Sequence, residues 1–220
     1  PDPSHRGGGS RLAQTIANIC ECRPLPACGE GRGGALCALA CRIDAARFPP
    51  HQAPMPIRPY RPSDLSALFA INQASTPGVG HEDRAEGLGK LLDMGTCLVA
   101  VDGSDAPQGF INLITPGTMA YPSDNLRWIE DWMSRKGVTA HYVDRIAIAP
   151  DARGARLGEA LYNAAFEAAS GRAYLTCEVN TDPDNPGSHR FHQRLGFREI
   201  GRKRYRANYE VAYYACPVSD

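Results

Sequence analysis

The 220-residue sequence predicts a mixed α/β fold, a central sheet of about seven strands flanked by helices. Three observations carry that expectation. Short apolar runs of strand length alternate with longer stretches in which apolar residues recur every three to four positions. Turn-rich breaks close a hairpin in the middle of the chain and another at its end. A long Ala/Leu-rich stretch follows directly on the apolar run at 141–148.

The elements follow in order. Residues 56–60 form a short strand, after which Arg61-Pro62-Ser63-Asp64 opens a helix that buries Leu65, Leu68, Phe69 and Ile71. A Gly/Pro break at 77–80 separates it from a second helix over 82–92. Strands at 97–101 and 109–114 join through the turn 102–108. Helical spacing returns at 122–136. A strand at 141–148, a long helix at 153–170, a strand at 173–179 and a helix at 186–195 then lead to a closing hairpin, 197–205 with 209–216. There is no internal repeat.

Composition divides the chain in two. Residues 1–54 hold five of the eight cysteines, seven Gly, seven Pro and six Arg, but neither Lys nor Met, and Phe48 is their only aromatic. Such a segment cannot bury a core of its own. It reads as a disordered N-terminal extension or upstream read-through, with Met55 as the start of a domain over 55–220. The alternative is a metal module on Cys20, Cys22, Cys28, Cys37 and Cys41, although these lack paired C-x2-C knuckles. Cys97, Cys177 and Cys216 in the domain are an odd, scattered set that suits a reducing cytoplasm, and Cys177 reads as a small buried hydrophobe.

With 24 basic and 24 acidic residues the net charge is zero, which indicates neither a nucleic-acid partner nor a polybasic membrane anchor. The longest apolar run, 35–41, is too short for a membrane span, and no signal peptide is recognisable.

Two segments carry the chemistry. In YVDRIAIAPDARGARLGEAL (142–161) an apolar strand runs into a turn with Arg153, Gly154 and Gly158 at a helix start. A helix start offers unpaired N–H groups and a positive dipole end, which suit an anion, and glycines let it approach closely. Neither a Walker loop nor a dinucleotide fingerprint is present. In CEVNTDPDNPGSHRFHQRLGF (177–197), Asn185 and Pro186 read as the N-cap and first residue of a helix. Asn185, Ser188 and His192 recur along one face of it.

Together the two segments resemble the GNAT superfamily of acyl-CoA-dependent N-acetyltransferases, over about residues 56–217. The R-x-x-G-x-G/A signature falls on Arg153, Arg156 and Gly158. The N-x-x-A-x-x-L-Y-x-x-x-G-F pattern falls on Asn185, Ser188, Phe191, His192, Gly196 and Phe197. Arg156 stands where Gly is usual, His192 where Tyr is usual, and the link from Glu178 to Asn185 is about two residues longer than the usual pattern.

The resemblance implies a single domain with splayed fourth and fifth strands, acetyl-CoA as cosubstrate and no metal. It implies that Ile146, Ala147 and Ile148 hold the pantetheine arm, and that Arg153, Gly154, Ala155, Arg156, Leu157 and Gly158 take the pyrophosphate. Asn185 and Ser188 would also face the cofactor. The implied activity is direct acetyl transfer to a primary amine, on a small molecule or a peptide, in a ternary complex. A non-catalytic acyl-CoA-binding module of the same fold is the alternative.

Transfer to an amine gains from a base on the amine side and an acid near sulfur. Many relatives carry Glu where this chain has Asp144, which shares a strand face with Tyr142, so Asp144 is the first choice of base and Glu178 the reserve. The alternative for Asp144 is a structural ion pair, as with Arg145. His192 would supply the acid, or be a helix histidine held by a carbonyl. Trp128 and Trp132, at i and i+4, either dock an extra helix on the sheet or line an acceptor lid together with Tyr142. The closing strand pair, with Tyr209, Val211 and Tyr213, offers a route to a homodimer.

Deleting residues 1–54 is expected to leave the melting temperature and CoA affinity of the remaining domain nearly unchanged, by thermal denaturation and calorimetry. Loss of either would make the extension part of the domain.

Overall fold

The computed structural model describes residues 55–218. The expectations for residues 1–54, the disordered extension and the cysteine metal module, lie outside them.

Among the described residues seven strands and five α-helices follow in the expected order. They are β1 Ile57–Pro59, α1 Leu65–Gln73, α2 Ala85–Asp93, β2 Thr96–Val101, β3 Pro107–Ile114, α3 Asp124–Lys136, β4 Ala140–Ile148, α4 Leu157–Ala168, β5 Tyr174–Asp182, α5 Pro186–Arg194, β6 Arg198–Arg206 and β7 Tyr209–Pro217. The strands form one mixed sheet in the order β1-β2-β3-β4-β5-β7-β6. All neighbours are antiparallel except β4 and β5.

Alternation along the strands feeds two apolar layers. Leu98, Ala100, Ile111, Leu113, Leu175 and Val179 face one side, where Leu157, Leu161 and Ala165 of α4 cover them. Cys97, Val99, Phe110, Ile114 and Tyr142 face the other, beneath Leu68 of α1, Leu88 and Leu92 of α2, and Leu126 and Ile129 of α3. Among the described residues no helix is long and apolar enough to cross a membrane. Of the closing strand pair only β6 has a free edge, because β7 lies between β5 and β6. Val211 and Tyr213 are fully buried, so cross-dimer pairing is open to β6 alone.

Three boundaries differ from expectation for local reasons. Helix α2 begins at Ala85, because Arg84 is extended at its N-cap. Helix α4 begins at Leu157 rather than 153, because a 3-10 turn at Pro150–Ala152 and a left-handed Arg156 intervene. Strand β5 runs on to Asp182, and this longer strand, with a tight return in which Asn185 N–H donates to the Asn180 carbonyl, absorbs the extra residues before α5.

Helix α3 is the insertion between β3 and β4. The Ser123 hydroxyl caps it by accepting from Leu126 N–H, and left-handed Gly137 ends it. Its docking is aromatic. Trp128 lies flat on Tyr213 with centroids 3.8 Å apart and planes 4° from parallel. Trp132 meets Tyr174 edge-on at 5.5 Å. Gly201 of β6 makes room, since a Cβ there would stand 2.7 Å from the Trp128 ring.

Gly201→Ala is therefore expected to overpack this contact and lower stability by about 1–3 kcal/mol, measured by urea denaturation. An unchanged midpoint would show that the Trp128 stack does not anchor α3.

Candidate active site

Strands β4 and β5 are paired only through Ala140/Tyr174, His141/Leu175 and Tyr142/Thr176. The Thr176 hydroxyl donates to the His141 carbonyl at 3.0 Å where they part. Just beyond, β4 is bulged. Asn112 of β3 opposes Arg145 and Leu113 opposes Val143, which leaves Asp144 with no partner on β3. A bulge bends its strand and increases twist, and here it accompanies the turn of β4 away from β5. A cleft of about 1250 Å3 fills the gap.

One end of the cleft is a helix start. Gly154 (φ +85°) and Arg156 (φ +58°) hold the turn in left-handed conformation, the backbone that a glycine adopts most easily. Arg156 stays there with its guanidinium on Glu159 at 2.7 Å. The N–H groups of Gly154, Ala155, Leu157 and Gly158 make no hydrogen bond among the described residues, and the helix ladder begins with Glu159 N–H to the Arg156 carbonyl. Four free donors at a dipole's positive end suit pyrophosphate oxygens. Gly158 also lets α4 approach α5, since a Cβ there would stand 2.8 Å from the Phe191 ring. Arg153 reaches back to the Ile148 carbonyl at 3.3 Å.

The cleft brings together most of the residues singled out in the sequence. Asp144, Ile146, Ala147, Ile148, Arg153, Gly154, Arg156, Leu157, Gly158, Glu178, Asn185, Ser188 and His192 all line it. Ala155 belongs to the same turn but not to the wall. Trp128, Trp132 and Tyr142 do not reach the cleft, for a packing reason. The tryptophans are spent on Tyr213 and Tyr174, and Tyr142 is buried under α3 and its neighbours. Tyr121, Asn125, Tyr162 and Tyr209 do line it, and sequence reasoning passed them over. Asn125 stands three positions before Trp128 on α3, which was the one available signal.

The two carboxylates differ. Asp144 accepts from Tyr121 Oη and, at 2.7 Å, from Arg145 Nε. Arg145 is itself buried and also bonds Glu82 and Asn72. Asp144 thus forms the structural ion pair and has both oxygens occupied. Glu178 Oε1 accepts from Asn125 Nδ2 at 3.0 Å, while Oε2 is buried with no well-formed hydrogen bond, although the Tyr142 hydroxyl also approaches the carboxylate and favours its ionised form. Burial pushes the Glu178 carboxyl up to about 7, and Asp144 nearby adds to the rise. A carboxylate at the cleft wall, poised near neutrality with one oxygen not committed to a well-formed hydrogen bond, has the properties of a general base.

His192 is buried and neutral at pH 7. Burial pushes it down to about 4. Its Nδ1–H donates to the Ser188 carbonyl at 2.8 Å, so Nε2 is the acceptor and takes the Tyr162 hydroxyl at 2.7 Å. The folded ring resists a proton that the unfolded ring, with pKa ~6.5, accepts. Its stabilisation is therefore complete above about pH 6.5 and is lost as pH falls toward 4, amounting to up to about 3 kcal/mol. His192→Phe is expected to be less stable than the parent at pH 7, with the gap narrowing between pH 6.5 and 4 in urea midpoints. A gap that widens on acidification would mean the ring is charged in the fold.

Comparison with known proteins places this geometry. A family model described as Acetyltransferase (GNAT) family matches residues 66–197. An N-acetyltransferase of Streptomyces griseus is 43% identical over 53 residues, which span 24% of this chain and 27% of that protein. Among solved structures, Arabidopsis thaliana NAA60 in complex with acetyl-CoA superposes with a TM-score of 0.58 at 21% identity, covering 74% of this chain and 98% of that one. A phosphinothricin acetyltransferase of Sinorhizobium meliloti in complex with AcCoA gives 0.56 at 16% identity, covering 76% and 89%. With the family model spanning most of the domain from α1 to the end of α5, this chain belongs to the GNAT family of acetyltransferases.

Proposed function

We propose that the chain transfers an acetyl group from acetyl-CoA to a primary amine on a small molecule or a peptide, directly and within a ternary complex. The observation that carries this reading is the parting of β4 from β5, with free helix-start N–H groups at one end and the uncommitted Glu178 oxygen at the other. Acetyl-CoA complexes of the same fold support the cosubstrate. The free thiols of Cys97, Cys177 and Cys216 support a reducing, cytoplasmic setting.

The residues divide the work. The N–H groups of Gly154, Ala155, Leu157 and Gly158 take the pyrophosphate. The β4 backbone at Ile146, Ala147 and Ile148, which has no partner on the β5 side, holds the pantetheine arm and polarises the thioester carbonyl. An alkylamine with pKa ~10.4 is neutral in only about one molecule in 2,500 at pH 7. Glu178 accepts the ammonium proton at Oε2, and the neutral amine then attacks the acetyl carbon. The nitrogen–carbon bond forms as the carbon–sulfur bond breaks. Tyr162 lines the cleft, but its one proton is given to His192 Nε2, so the departing thiolate takes the second proton of the attacking amine and leaves as the CoA thiol.

Two measurements test this. CoA at a hundred times its Kd should stabilise the fold by about 2.7 kcal/mol. In Gly158→Glu, with its secondary structure retained by circular dichroism, that stabilisation should vanish. An undiminished thermal shift would overturn the phosphate site. Thiol release across a panel of primary amines should reveal turnover, with kcat/KM rising through pH 7 as Glu178 ionises. Glu178→Gln should lower it by about 10²–10⁴-fold and remove that rise. CoA binding without thiol release on any amine would instead make the chain a binding module.

A further inference from the structure

The insertion α3 does more than cover the sheet, because its second residue, Asn125, reaches the cleft. All of its amide's polar groups are engaged. Nδ2 donates to Glu178 Oε1 at 3.0 Å and lies 3.4 Å from Tyr209 Oη. Oδ1 accepts from Tyr213 Oη at 2.8 Å. The Tyr213 proton is thereby committed, so the Tyr205 hydroxyl, 2.6 Å away, is the donor to Tyr213. The hydrogen bonds therefore run in one direction, Tyr205 to Tyr213 to Asn125 to Glu178. The chain fixes the amide's orientation, with its NH2 toward the carboxylate. The same Tyr213 ring carries the Trp128 stack one helical turn along α3, so one side chain sets both the helix position and the amide orientation.

We propose that Asn125, oriented by Tyr213, positions Glu178 and tunes its proton affinity, so that the helix inserted between β3 and β4 serves the acceptor side of the active site through one amide. The proposal rests on Glu178 being the base.

Asn125 shares this task with one other side chain, Tyr142. Glu178 is faced by Asp144 and Tyr142 from β4, Tyr121 from the segment before α3, Tyr162 from α4, Cys177 on its own strand, Tyr205 from β6, and Tyr209 and Tyr213 from β7. Of these only Asp144 is charged at neutral pH, and it repels. Arg145, the nearby cation, is committed to Asp144 and Glu82. Two side chains favour the ionised carboxylate, the Tyr142 hydroxyl from β4 and the Asn125 amide, and Asn125 is the one supplied by the inserted helix, at 3.0 Å.

The test is a carbon-13 NMR titration of the full chain labelled in the glutamate carboxyl carbon, with the Glu178 signal assigned by its loss in Glu178→Gln. The parent midpoint is expected near 7. Losing a donor to a carboxylate disfavours the ionised form, so Asn125→Ala should raise the midpoint by about one unit or more. Asn125→Asp, which sets a second carboxylate beside the first, should raise it further. Tyr213→Phe keeps the stacked ring but frees the amide, and should give a smaller rise. If Asn125→Ala does not fold, Tyr213→Phe carries the test alone. A Glu178 midpoint unmoved by these changes overturns the proposal, even if Glu178→Gln still abolishes turnover. If Glu178→Gln turns over like the parent, the base assignment falls, and with it the purpose assigned to Asn125.

Discussion

Everything at the site depends on one broken pairing. Strands β4 and β5 run parallel, hold three residue pairs and then separate. Parallel neighbours deliver their C-terminal ends to the same edge of a sheet, and the helices that follow them begin there. The starts of α4 and α5 therefore both stand at the cleft, with their positive dipole ends toward it. Had β4 continued alongside β5, the edge from Val143 to Ile148 would have been satisfied by sheet hydrogen bonds. Parting leaves those backbone groups available to a ligand, and the bulge at Asp144 lies where the separation begins.

The cleft is electrically polar as a consequence. Free N–H groups gather at the α4 end, while Asp144 and Glu178 lie where the strands divide. The two acids reach different states through their neighbours. Asp144 has a guanidinium and a phenol; Glu178 has only neutral donors, the Asn125 amide and the Tyr142 hydroxyl, and one buried oxygen with no well-formed hydrogen bond. A buried carboxylate with so little compensation holds its proton more tightly, which is the property a base near neutral pH needs. His192 shows the converse. A ring enclosed by Tyr162, Phe191 and Phe197 stays neutral, and its two nitrogens are used to hold Tyr162 and the α5 backbone.

Helix α3 links the far edge of the sheet to this chemistry. Trp128 fits over Tyr213 because Gly201 has no side chain to occupy the space. The docking that buries Leu126 and Ile129 also sets Asn125 over β5. Stability and acceptor-side geometry thus share one contact, so packing errors at β6 reach the carboxylate without touching it.

The sequence by itself determined the order of elements, both hairpins, the Asn185–Pro186 helix start and the two segments that meet at the helix-start end of the cleft. These are local signals: period, caps and turn residues act over a few positions, and the chain obeys them wherever it folds. Tertiary structure decided what depends on distant partners. Alternation does not reveal a bulge, so the pairing of Asp144 with Arg145 and Tyr121, rather than an open carboxylate, waited on β3 register. Helix α4 begins at Leu157 because Arg156 takes a left-handed conformation that a side chain ordinarily avoids. Spacing put Trp128 and Trp132 on one face, and only docking on Tyr213 and Tyr174 showed that face turned from the cleft. The Asn125–Glu178 bond joins residues 53 positions apart. No local pattern encodes such a meeting, because burial, which raises the carboxyl and makes one amide matter, exists only after the layers close.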